Sequence, residues 1–179
     1  MHIEEKESYK WLRSAEDSQP VLVAGGAERV TYVGDRESDI YSDIYEEWVR
    51  VPECRTHLLV RACRNRRLHN SPTMLYETLS QQPVQGTYGV EVLADPRTGR
   101  EAREAWLSVR FTPVTIWRPK KVSPQDYPET VSLYAVEAKE VNSPEGESPV
   151  HWRLLTTHPV NTLEHALQVI QWYSCGHVG

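Results

Sequence analysis

Hydrophobic positions recur with period two through the middle of this chain and with helical spacing towards both ends. The first helical stripe covers about 7–16, where Trp11, Leu12 and Ala15 share a face. Val21-Leu22-Val23-Ala24 is a short apolar run before the turn Gly25-Gly26, which lacks the Lys-Ser/Thr of a phosphate loop. Val30, Tyr32 and Val33 make a β-prone run that Gly34 ends, with Asp35 where the strand stops. After Ser38 the spacing changes. Ile40, Ile44 and Trp48 fall on one helical stripe beside Tyr41, Tyr45 and Val49, and Ser38 or Asp39 can cap that helix. Leu58-Leu59-Val60 then reads as a buried strand, parallel to the first and joined to it through the helix.

From residue 71 the texture changes. Residues 75–79 predict a short helix that Pro83 ends, and 87–93 alternate as a strand. Asp95-Pro96-Arg97-Thr98-Gly99 supplies a turn, and 102–111 alternate again. Leu107, Val109 and Phe111 share one face there, with Trp106, Ser108 and Arg110 on the other. Three more strands are expected at 114–117, 130–136 and 150–156, the middle one between two Pro-rich polar loops. Helix returns at Asn161, which has capping-box spacing to Glu164, while Leu163, Ala166, Leu167 and Ile170 line one face. The pattern predicts an α/β fold with an inserted block of antiparallel β over 71–157.

A hydrophobic content of 39%, with six Trp and nine Tyr, argues for a folded chain with a core. No apolar run is long enough to cross a bilayer, and the first residues do not form a signal peptide. Cys54, Cys63 and Cys175 have no zinc-type spacing and read as reduced cytosolic thiols. The net charge of −5 gives no general drive towards nucleic acid, so any such binding must come from a local patch. Arg61, Arg64, Arg66 and Arg67 form the densest basic run and suit DNA-backbone contact; Lys120-Lys121 reads as solvated surface.

Gly34-Asp35-Arg36-Glu37-Ser38-Asp39-Ile40-Tyr41 resembles the second-aspartate signature of the insertion-sequence-four family of DDE transposases. Further matches follow the same order. Glu5-Lys6-Glu7-Ser8-Tyr9-Lys10-Trp11-Leu12 precedes the signature, and Leu58-Leu59-Val60-Arg61 comes after it. Glu145-Gly146-Glu147-Ser148-Pro149-Val150-His151-Trp152 and 166–173 complete the set. Several matches in order are more specific than one short motif.

The resemblance implies a partial RNase H-like core over 1–70, a β-rich insertion domain over 71–157, and the start of a returning core helix over 158–179. The family cuts and rejoins DNA at transposon ends with two divalent metals, usually magnesium, held by three carboxylates. Asp35 matches the second acid, as catalytic residue and metal ligand; the first and third have no counterpart here, so the chain is expected to be a truncated transposase inactive by itself. The resemblance also implies that Trp152 stacks on a flipped base and that Arg61 lies beside the same DNA end. Tyr173 matches a tyrosine of the family's last motif and, with Arg64, joins the expected DNA contacts. Asp35 as a turn residue and Trp152 as a core residue of its strand stay open on the residues alone. Trp106 and Trp117 read as packing residues. The expected partners are DNA and a second copy or a full-length transposase, in the cytoplasm and on the nucleoid when DNA-bound. Two readings of other classes stand beside this: a non-catalytic DNA-binding or inhibitory fragment, and a β-rich protein-interaction module.

Overall fold

The computed structural model describes residues 21, 24–26, 30–34, 41 and 56–176. Asp35, the helix expected over 7–16, and most of the stripe through Ile40, Ile44 and Trp48 lie outside the described residues.

Six strands form one sheet in the order β1-β2-β6-β5-β4-β3. They are β1 (Val30–Gly34), β2 (Thr56–Arg61), β3 (Gly86–Val92), β4 (Arg103–Trp117), β5 (Thr130–Glu140) and β6 (His151–Thr156). Two helices are described, α1 (Leu75–Ser80) and α2 (Leu163–Gly176). The parallel pairing expected between the first two strands is present, with Val30 opposite Thr56 and Gly34 opposite Val60. On its other edge, however, β2 takes β6 antiparallel, and every later pairing is antiparallel too.

The expectation of an α/β, RNase H-like fold is therefore corrected. The chain is mostly a curled mixed β-sheet shaped as a half-barrel. A parallel α/β sheet needs crossover helices against its faces. Here the strands are long and follow one another through turns, which favours hairpin pairing instead.

Both faces of the sheet bury apolar side chains. One cluster joins Leu58, Val60, Val114, Ile116, Val131, Leu133 and Leu155 to Leu75 and Leu79 of α1 and to Tyr41. The other joins Leu59, Leu107, Val109, Val136, Ala138 and Leu154 to Ala166, Val169, Ile170 and Tyr173 of α2. The expected split of Leu107 and Val109 from Trp106 holds, since the first two are fully buried and Trp106 is 54% exposed.

Two boundaries differ from the sequence pattern. The segments expected at 102–111 and 114–117 form one strand, β4, running through Pro113 opposite Tyr134. Proline has no N–H and belongs in strands only where none is needed. The Pro113 carbonyl accepts from Asn70 Nδ2 at 3.3 Å, so this residue's hydrogen-bonding side points away from β5, beyond where β3 has ended. The missing donor thus costs no ladder bond. At α2 the cap is Thr162, not Asn161: Thr162 Oγ1 accepts from the His165 N–H at 3.3 Å, and His165 Nδ1 accepts from the Asn161 N–H at 3.3 Å. The cap is shifted by one residue, and His165 reaches back to the N–H of the residue before the cap, where the glutamate of a capping box would bond the cap's own N–H.

The Asp95–Arg100 turn forms as expected. Asp95 Oδ1 accepts from the Arg97 N–H at 3.0 Å, and Gly99 supplies a φ of +72°.

Candidate nucleic-acid interface

Where β2 leaves the sheet, two polar surfaces meet. Arg61, the last residue of β2, is opposite Leu154 of β6, and the Ala62 N–H bonds the Arg153 carbonyl at 2.7 Å. Trp152 precedes Leu154 by two residues, so the register sets Arg61 diagonally across from Trp152 on one face, a spacing of roughly 7–8 Å. The Arg61 guanidinium caps the exposed end of the ladder, with Nη2 donating to the His151 carbonyl at 3.1 Å.

The structure therefore brings Arg61, Trp152 and Tyr173 into one neighbourhood. Trp152 is half-buried and meets the Tyr173 ring edge-on, with centroids 5.3 Å apart at 68°. Tyr173, on α2, is 1% exposed and supports Trp152 from within the core. Arg64 is exposed on the loop after β2. The rest of the arginine run divides: Arg66 is buried, while Arg67 is exposed and lies 6.0 Å from the centroid of the Trp117 ring. Trp117 is a packing residue as expected, its indole N–H donating to the Leu68 carbonyl at 3.0 Å. Trp106 is not; it lies open on the sheet surface beside Gly89.

On the opposite face, alternation presents His151 and Arg153, and the sheet register builds a site that sequence reasoning missed. Glu137 of β5 stands directly between Arg110 of β4 and Arg153 of β6. Its carboxylate accepts from His151 Nε2 at 2.8 Å, with Arg110 Nη1 and Arg153 Nε each 3.5 Å away. A carboxylate only accepts, so Nε2 carries the imidazole proton. Arg153 Nε is buried and makes no hydrogen bond, while its guanidinium lies 3.9 Å over the Tyr76 ring. Glu137 is 2% exposed. Burial pushes its acidity towards the neutral form, but the His151 hydrogen bond and the charges of His151, Arg153 and Arg110 outweigh burial and hold the carboxyl below its ordinary range.

Two staples position these groups. Asn65 Oδ1 accepts from the Tyr76 N–H at 2.9 Å, and Asn65 Nδ2 donates to both Glu77 oxygens at 3.1 Å, fixing α1 against the loop after β2. Arg103 donates to both Glu140 oxygens and, through Nε, to Glu147 at 2.8 Å. Glu140 also accepts from the Val150 N–H at 2.8 Å, which pins the loop that delivers His151.

No protein-family model matches the chain. Among the described residues no three His, Cys, Asp or Glu side chains gather as a metal site, and Asp35 lies outside them. No helix among them is long and apolar enough to cross a membrane.

The site's chemistry follows from its side chains. Flat cations and an imidazole N–H, backed by an aromatic ring, suit binding of phosphate oxygens and a stacked base. The network holds guanidiniums and an imidazole in place.

Proposed function

We propose that this chain is a transposase-related, DNA-binding piece that engages a DNA end and does not cut it by itself. The observation that carries this reading is the diagonal placement of Arg61 and Trp152 across β2 and β6. A planar cation suits a backbone phosphate, and a half-exposed indole braced by Tyr173 suits an unpaired base. The ordered sequence matches around Asp35, Arg61 and Trp152 support the transposase relationship. Asp35 is this sequence's counterpart of one of the three metal-holding acids that such chemistry uses.

Incubation with end-labelled DNA and magnesium or manganese tests both halves. The expected result is a retarded complex with intact strands. Metal-dependent cutting that Asp35→Ala abolishes would overturn the non-catalytic half. Absence of any complex at low salt would overturn the binding half and favour a protein-interaction module.

A further inference from the structure

At the open end of the β2–β6 ladder, where Arg61 reaches the His151 carbonyl, a pocket of about 200 Å³ is lined by Arg61, Ala62, Cys63, Tyr76, His151 and Arg153. We propose that this pocket is a binding site for a single phosphate group. The inference deepens the DNA reading and rests on it for the ligand's origin, but the pocket's chemistry stands independently.

Charge is the first argument. Two guanidiniums, from Arg110 and Arg153, and the His151 imidazole flank one buried carboxylate, Glu137, and Arg61 lines the pocket together with Arg153 and His151. Glu77, which also feels the charge of Arg153, faces solvent and is held by Asn65. Arg61 donates to a neutral backbone carbonyl, so that hydrogen bond leaves its charge uncompensated.

Geometry is the second argument. The Arg153 guanidinium is held flat by the Tyr76 ring at 3.9 Å, which presents its donors as a fixed fork. Its Nε is buried 3.5 Å from the Glu137 carboxylate, which leaves the terminal nitrogens as the donors for a ligand. Size is the third. Pockets that enclose drug-sized molecules run to roughly 300–1,000 Å³, so this one fits a group and not a whole nucleotide.

The probe is inorganic phosphate, titrated calorimetrically against chloride at matched ionic strength. One site with a dissociation constant on the order of 1 mM is expected, because solvent competes for every donor. Arg153→Gln should weaken it by roughly tenfold or more, the loss of a charge-assisted hydrogen bond. Glu137→Gln should strengthen it by removing the competing internal anion. A readout on the unaltered protein guards against misfolded variants. Phosphate should slow alkylation of Cys63, which lines the pocket, and leave Cys175 unaffected, both followed by peptide mass spectrometry.

Equal protection of both cysteines, or phosphate binding that Arg153→Gln leaves unchanged, would overturn the proposal. DNA distinguishes the phosphate's source: if the group is a DNA phosphate, inorganic phosphate should compete with an oligonucleotide. DNA binding with no phosphate effect anywhere would remove the pocket and leave the DNA reading standing. Phosphate protection of Cys63 without DNA binding would do the reverse and assign the pocket to a small phosphorylated molecule.

Discussion

Replacing Glu137 with glutamine removes one negative charge from the centre of three cross-strand donors while nearly preserving volume. Breaking a fully buried ion pair costs about 3–5 kcal/mol, because the abandoned partner is left desolvated. Here the partners are less confined: the Arg110, His151 and Arg153 side chains keep 21%, 24% and 28% of their surface open and can turn towards water. The glutamine oxygen can still accept one hydrogen bond, though its amide now faces donors. The expected loss is therefore about 1–3 kcal/mol at neutral pH. With a urea slope of about 1–3 kcal/mol per molar, the denaturation midpoint should fall by about 1 M.

The loss should depend on pH with a definite sign. The folded-state value for Glu137 lies below its ordinary range. Its contribution is thus fully present above an unfolded value of about 4.3 and disappears as pH falls through the lower folded value. Urea titrations of both proteins at pH 7 and near pH 3, followed by tryptophan fluorescence, should show a gap at the first pH that narrows at the second. Glu77 and Glu140 also titrate low, but they do so in both proteins and largely cancel in the difference. Equal stability at pH 7, or a gap that persists undiminished in acid, would refute the reasoning.

Leu59→Ala should cost about 2–5 kcal/mol by opening a cavity beneath α2, where Leu59 is fully buried, and an unchanged melting temperature would contradict this. Arg103→Gln should cost about 1–2 kcal/mol and hasten hydrogen exchange at the Val150 amide, since Glu140 would lose the guanidinium that holds it in place; unchanged exchange would count against the staple. Trp106→Ser should change stability by less than about 0.5 kcal/mol, because that indole lies mostly in solvent, and a larger loss would mean that it packs.

The elements were more legible than their assembly. Alternation along Leu107, Val109 and Phe111 identified the buried side of β4, and the parallel pairing of β1 with β2 followed from two apolar runs spaced for a crossover. The break expected between 111 and 114 spans Pro113; proline usually ends a strand, and its harmless placement here depends on where β3 stops, a tertiary fact. The RNase H-like expectation came from the resemblance and is contradicted by the sheet as a whole, a curled mixed half-barrel in which β2 takes β6 antiparallel and every later pairing is antiparallel. The Arg110–Glu137–Arg153 row was invisible for a related reason. Each residue looks like an ordinary polar position of its strand. They meet only because the turn before β5 and the loop before β6 set two registers at once, and loop length does not determine register. His151 and Arg153 left one faint signal, since they flank Trp152 with period two.

The central claim is that Arg61 and Trp152 present one phosphate contact and one stacking surface to a DNA end. Fluorescence anisotropy at several salt concentrations, with one DNA end carrying an unpaired base and one blunt duplex, tests it most directly. Trp152→Ala should weaken binding to the unpaired end by about 1–3 kcal/mol, the scale of one base–aromatic stack, and affect blunt duplex much less. Arg61→Ala should weaken both and reduce the salt slope by about one. Equal losses on both DNAs for Trp152→Ala in a folded protein, or a salt slope untouched by Arg61→Ala, would contradict the account.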